Sequence, residues 1–375
     1  MHETISPPAP RRRLLSRFLV VVVVLVVLVV GLRAWSTNEY AITPGNATNV
    51  VPLVTVKGLA TNATPDRIML VDVYLQPLSE LQYLLMHFDA HVQFVTAGQL
   101  LEPGVPNSEL TAQGFMQMSD SQEYAKVAAL RALGWRIPAV HTGVVITAVA
   151  SNTPAARARL QVGDEILSVD GAKVGSTCAL IGSLVKVAPR TKVRLTIRRG
   201  TFSAAGVLHR GAPVTISVDT AVSPHAHAAT GCAQFPSTGT SYLGIALEDA
   251  VTYPLPGSIS VDTANIGGPS AGLAMTLTIM DKLSRGSLTG HHVIAATGTI
   301  DPSGTVGDVG GVAEKTIAVE NAGAQYFFVP QVEVPTARSV ADSRLHIIGV
   351  TTLSQVLADL RKLGGAMPEP LTPPH

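Results

Sequence analysis

From Phe18 to Leu32 the chain carries no polar side chain, only valine and leucine around a phenylalanine and one glycine. Beyond it the apolar positions recur at shorter periods. Tyr40–Gly58 reads as short strands broken at Pro44-Gly45 and again at Pro52. IMLVDVYL (Ile68–Leu75) is an apolar run of strand length, and LSELQYLLMHF (Leu78–Phe88) has helical spacing. MSDSQEYAKVAALRALG (Met118–Gly134) predicts a stronger helix, with Asp120 and Glu123 as a capping box and Gly134 as the stop. Its small residues Ala125, Ala128, Ala129 and Ala132 suit close packing. From Gly143 to Val174 a strand leads to a polar turn, a short helix opened by Pro154, then Gly163-Asp164 and a second strand ending in the tight turn Asp170-Gly171. Lys192–Arg198 and Val214–Val218 read as further strands, as do Ile259–Val261 and Val293–Thr297. Leu273, Leu277 and Met280 line one face of a helix, and Gly310-Gly311 opens another that carries Val312, Ile317, Ala318 and Ala322. The mixture predicts an α+β fold. PHAHAATGCAQFPSTGT (residues 224–240) reads as a connector and Gly364–His375 as a disordered tail.

At 375 residues and 46% hydrophobic content, the chain has room for two or three domains. A net charge of +1 gives no bulk attraction to nucleic acid, and none is expected as a partner. Local charge is more informative. Arg11, Arg12, Arg13 and Arg17 precede the apolar run. As a helix, Leu14–Trp35 rises about 33 Å, enough for a hydrocarbon core, with Arg17 and Arg33 reaching outward. Trp35 then sits at the far interface, and the basic cluster keeps the N-terminus cytoplasmic. A cleaved signal peptide is the competing reading, although Ala34-Trp35-Ser36 is a poor cleavage signal. Both readings export the bulk of the chain, and Cys178 and Cys232 then offer one disulfide, free buried thiols being the alternative. His225 and His227 near Cys232 make only a weak zinc case, so no metal is expected.

NIGGPSAGLAMTLTIMDKL (Asn265–Leu283) places Ser270 among glycines at a helix start. Free N–H groups there could stabilise an oxyanion beside a serine nucleophile. Serine is equally a favoured N-cap, and this stretch alone leaves both readings open. Downstream, Lys315 lies beside Val312, Ala318 and Val319. Burial there would lower its pKa and supply a neutral amine able to take a serine proton. Taken alone, Lys315 is more often a solvated helix charge.

Together these segments resemble the proteolytic domain of Lon-type serine proteases. The carrying motifs are Gly268-Pro269-Ser270-Ala271-Gly272, Thr297-Gly298, and Gly310-Gly311-Val312-Ala313-Glu314-Lys315. The resemblance implies a Ser270–Lys315 catalytic dyad with Thr297 orienting the amine and with Gly268, Pro269 and Ala271 supporting the serine loop. Residues 143–174 resemble a PDZ domain of bacterial proteases. Its carboxylate-binding loop resembles Tyr242-Leu243-Gly244-Ile245, which lies after the other strands, as in a circularly permuted PDZ. PDZ grooves bind extended peptides, although the module could instead only pack and space. The whole chain is similar to membrane-anchored PDZ–Lon-like proteases of bacteria. That similarity implies a basic tail over 1–17, an anchor over 18–35, a Lon-like domain split between 40–134 and 240–363, an inserted PDZ-like domain and connector over 135–239, and a tail over 364–375. It further implies polypeptide substrates, no cofactor and a homo-oligomer, by resemblance a hexameric ring. Lon enzymes proper carry an ATPase module. No Gly-x-x-x-x-Gly-Lys-[Ser/Thr] occurs here, so ATP-independent cleavage of flexible or unfolded segments is expected.

Two rival readings remain. Gly268-x-Ser270-x-Gly272 also fits the nucleophile elbow of α/β-hydrolases, with Asp301 or Asp308 and His346 in the required order. Alternatively, the chain is an inactive PDZ scaffold at the membrane. His291-His292 reads as an exposed turn and Asp262 as a turn carboxylate before the serine loop. Asn46-Ala-Thr48 and Asn62-Ala-Thr64 match the glycosylation pattern only.

Overall fold

The strand Arg67–Ser79 buries both of its faces, Ile68 and Leu70 on one and Met69 and Val71 on the other. A strand apolar on both sides belongs inside a sheet covered by two layers. The computed structural model, which describes residues 11–89, 91–101, 104–203, 206–223, 232 and 239–373, places it so. Its sheet has six strands, in the order His346–Val350, Tyr326–Pro330, Val293–Ala296, Arg67–Ser79, Ser36–Asn49, Gln93–Thr96. The first four are mutually parallel, and Ser36–Asn49 runs antiparallel to both of its neighbours.

The helices divide between the two faces. Gly272–Leu283, Leu110–Ala132 and Leu353–Lys362 pack on the face of Ile68, Leu70, Ile294 and Phe328. Val312–Asn321 and Val334–Val340 pack on the face of Met69, Val71, Ala295 and Phe327. Between Ala132 and Ser258 the chain leaves this sheet and builds a second one, in the order Ile245–Thr252, Val140–Val149, Glu165–Val169, Lys192–Phe202, Leu208–Asp219. Its core holds Val144, Ile146, Ile166, Leu180, Leu195 and Ile197. Cys178 and Cys232, 54 positions apart, are joined by a disulfide. The fold is thus α+β, a mixed sheet with helices on both faces and a β-rich module set into its sequence. One helix, Arg11–Ala34, is long and apolar enough to cross a membrane, with a mean hydropathy of 2.7 over Arg17–Ala34.

Several expectations need correction. Pro44-Gly45 does not break the first strand. Ser36–Asn49 runs through it with a register shift between Pro44 and Ala47, because a bulge absorbs the proline and the bare Gly45 lets Asp72 close against it. Asp120 does not open a helix. The helix starts at Leu110, and Asp120 lies in its middle with its carboxyl pushed up to about 7, chiefly by burial and then by Glu248. The boundary at 239/240 falls too early, because Ile245–Thr252 pairs with Val140–Val149 and completes the second sheet. The tail is ordered through residue 373: Arg285 and Leu371 N–H groups donate to Glu369 and Leu283 carbonyls, and Ala366 N–H donates to Ser287 O. Backbone groups at and just after the end of helix Gly272–Leu283 supply the tail's hydrogen-bond partners. His225, His227, most of the 224–240 connector and residues 1–10 of the basic tail lie outside the described residues.

Candidate active site

Helix Gly272–Leu283 is buried along almost its whole length, so what precedes it is held firmly. Ala271 caps it, and Ser270 stands one residue earlier. The Ser270 side chain caps nothing and makes no hydrogen bond among the described residues, which removes the N-cap reading. Its carbonyl accepts from Gly298 N–H (2.9 Å) and Thr297 Oγ1 (3.3 Å), at the carboxyl end of strand Val293–Ala296. On the other side Ser121 Oγ donates to Pro269 O (2.9 Å) and Gly268 N–H donates to Gly114 O (2.7 Å). Helix Leu110–Ala132 thus buttresses the loop from outside, and the sheet does so from within. The approach needs small residues, since a Cβ on Gly267 would come within 3.2–3.4 Å of Gly114 backbone atoms. Gly114→Leu is therefore expected to prise the helix from the loop and lower kcat about 100-fold, while Gly114→Ala stays near the parent. Steady-state kinetics of folded variants checks this.

Lys315 comes from the opposite face of the sheet. Gly311, at φ +68°, starts its helix, and a Cβ there would press on Ile42 and Val73 at 3.1 Å. Lys315 is 2% exposed. Burial lowers its pKa to about 8, against the opposing pull of Glu333, then Asp72, then Glu314. Its amine makes no hydrogen bond or ion pair among the described residues. Ser270 and Lys315 line one cavity of about 520 Å³, together with Asp72, Tyr74, Asp262 and Ala271 among others.

Not every candidate falls where the sequence suggested. Thr297 turns its hydroxyl to the Ser270 carbonyl rather than to the Lys315 amine, because it sits directly under the serine loop. Gly268 cannot offer an oxyanion donor, its N–H being spent on Gly114, and Pro269 has none. The Ser270 and Ala271 N–H groups are the unspent pair in this segment. Asp262 is a turn carboxylate, accepting from Ala264 N–H (3.0 Å), and it borders the cavity. Among the described residues no histidine lines the cavity. His346 stacks on Tyr326 at the sheet edge, and Asp301 is taken up by Ser303 and Thr305. The elbow reading therefore lacks its histidine at this serine. Sequence reasoning missed Asp72 and Glu333, which come to Lys315 from strand Arg67–Ser79 and from a position over 15 residues downstream of it. It also missed Ser121 and Gly114; no local signal marks any of these four.

Leu243 is buried in the core of the second sheet and its carbonyl accepts from Ala155 N–H, while the Gly244 carbonyl accepts from Ala150 N–H. Tyr242 pairs with Ala221, and Ile245 opens the strand beside Val149. That strand lies against helix Thr177–Val185, whose first N–H donates to Asp249 Oδ1 (2.6 Å).

Comparison with known proteins identifies both units. Residues 261–362 match the family model of the Lon protease (S16) C-terminal proteolytic domain, and residues 131–218 match that of the PDZ domain. The Lon protease of Rickettsia typhi is 29% identical over 168 residues, 44% of this chain and 20% of that one. That of Rickettsia felis is 32% identical over 93 residues, 24% of this chain and 12% of that one. The chain thus spans about a fifth or less of the length of these relatives. The PDZ domain of an SdrC-like protein from Listeria monocytogenes is 20% identical, covering 28% of this chain and 87% of its own, at a TM-score of 0.21 that carries no weight. The class these matches point to, over residues 261–362, is that of the Lon-type proteolytic domain. More particularly, the chain carries a Lon-type proteolytic domain together with a PDZ domain.

Proposed function

We propose that the chain is a membrane-anchored serine endopeptidase, independent of ATP, in which Ser270 is the nucleophile and Lys315 the general base. One observation carries this: Lys315, buried and with its pKa lowered to about 8, lines the same cavity as an unengaged Ser270. The neutral Lys315 amine takes the Ser270 proton as Oγ attacks the scissile carbonyl carbon. Ser270 and Ala271 N–H groups receive the oxyanion. The C–N bond then breaks as the Lys315 ammonium returns the proton to the leaving amine. Water, deprotonated by Lys315, hydrolyses the acyl-serine. The dyad closes its hydrogen bond only when substrate fills the cavity, as apo sites commonly do.

The split protease domain, with the PDZ unit between its parts, is part of the same reading. The edge strand Ile245–Thr252 and the Tyr242–Ile245 loop hold polypeptide substrate for cleavage. The four arginines keep the N-terminus cytoplasmic and leave the protease outside, where a homo-oligomeric ring gathers the sites.

The test uses the full chain in detergent micelles with an unfolded protein substrate. The parent and His346→Ala are expected to cleave it, Ser270→Ala and Lys315→Ala to fail, and ATP to change nothing. Cleavage surviving Lys315→Ala would sink the dyad, and its loss in His346→Ala would restore the elbow.

A further inference from the structure

Leu81, Leu84, Leu85 and Phe88 fall at i, i+3, i+4 and i+7, a single helical stripe. In a water-soluble domain that stripe faces the core. Here it faces out. Leu84, Leu85 and Phe88 are 56%, 66% and 85% exposed. The inner side of helix Glu80–Met86 is held by other residues: the Tyr83 ring meets the Phe94 ring edge-on at 5.1 Å, and Gln76 Nε2 donates to Met86 Sδ. Ser79 and Gln82 form a capping box that fixes the helix start.

This helix is pinned to the point where the apolar helix ends. Glu80 N–H donates to Trp35 O (3.0 Å), Thr37 Oγ1 donates to Leu78 O (2.8 Å), and Ser36 pairs opposite Ser79. Trp35, itself 73% exposed, is all that separates helix Arg11–Ala34 from the first strand. No linker exists that could carry the stripe away from the membrane. The interfacial layer of a leaflet is about 5–7 Å thick, and a seven-residue helix is about 10 Å long.

We propose that Leu84, Leu85 and Phe88 insert into the headgroup–acyl boundary of the leaflet from which the apolar helix emerges, and so seat the catalytic domain against the bilayer. The occupant of this surface is lipid, because the stripe is continuous with the span and its exposed Trp35. The proposal rests on the membrane-anchor reading. Its consequence is geometric. Tyr74, in the cavity wall, precedes Ser79 by five positions on one strand, about 17 Å. The peptides reached are then segments lying close to the membrane surface.

The test places one environment-sensitive fluorophore on the full chain in phosphatidylcholine vesicles containing nitroxide-labelled lipid. The sites are Leu85→Cys, Phe88→Cys, Val26→Cys within the span and Val214→Cys on the outer strand of the PDZ unit; the native cysteines stay paired. Loss of fluorescence at 85, 88 and 26, with none at 214, is expected. Quenching at 26 but not at 85 or 88 overturns the seating and leaves the anchor standing. No quenching at 26 removes the anchor and the seating with it. A blue-shifted, unquenched probe at 85 or 88 whose shift fades on dilution in lipid overturns the proposal in favour of a second copy covering the stripe.

Discussion

Replacing Lys315 by methionine is expected to lower cleavage about 10⁴-fold while making the protein harder to unfold. The two effects have one cause. Lys315 is 2% exposed, and burial takes its pKa from the ordinary 10.5 to about 8. Below about pH 8 the ammonium is charged in both folded and unfolded chains, and the full desolvation penalty weighs on the fold. Between about 8 and 10.5 the unfolded chain holds a proton that the folded one has lost, so stability rises with pH. Above 10.5 both forms are neutral and the penalty is gone. At ~1.4 kcal/mol for each tenfold displacement, the penalty near neutrality is about 3 kcal/mol. Methionine keeps the unbranched shape without the charge and escapes that penalty, whereas alanine would leave a hole. Denaturant midpoints of parent and Lys315→Met should therefore differ most at pH 7 and converge toward pH 10.5. A gain in stability with activity intact would show a desolvated lysine that is not the base. Lost activity with unchanged stability would show that the amine is better solvated than its burial indicates.

The proposed dyad was legible because both members sit in short local motifs. Glycines, proline and serine before an apolar helix mark one, and a glycine pair before Glu314-Lys315 marks the other. Each motif had a bland reading, and only the fold removes it: Ser270 caps nothing, and Lys315 is inside. What stayed hidden is what the fold assembles from distant segments. Gly114 looks like a weak point in a helix until Gly267 is found against it. Asp120 looked like a cap because Asp120 and Glu123 satisfy a local rule, yet LTAQGFMQ upstream is already helical and overrides it. The end of the PDZ unit was misplaced for a related reason. Ile245–Thr252 follows the 224–240 connector in sequence but completes the earlier sheet in space. The stripe of Leu84, Leu85 and Phe88 was visible as a helix pattern, but only coordinates show that it faces away from the core.

The pH dependence of the reaction separates Lys315 from its neighbours. With the amine as base and a pKa of about 8, kcat/KM should climb about 90-fold from pH 6 to pH 9, with unit slope on the acid side. The carboxylates that face the amine are Glu333, Asp72 and Glu314, from three different elements, and each favours the ammonium. Glu333 has the largest influence and stands at the start of helix Val334–Val340, outside the cavity wall. Burial, then Asp308, raises its own pKa. Glu333→Gln removes one stabilising charge from the ammonium, so the Lys315 pKa must fall further and the acid limb must move to lower pH. The variant should then outperform the parent at pH 7 and equal it at pH 9, where both amines are already neutral. A general base seldom gains from losing a neighbouring carboxylate, but here the neighbour opposes the form that catalysis needs. An unmoved limb would mean that another group sets the profile. A drop in rate at every pH would mean that Glu333 holds the lysine helix in place rather than tuning its charge.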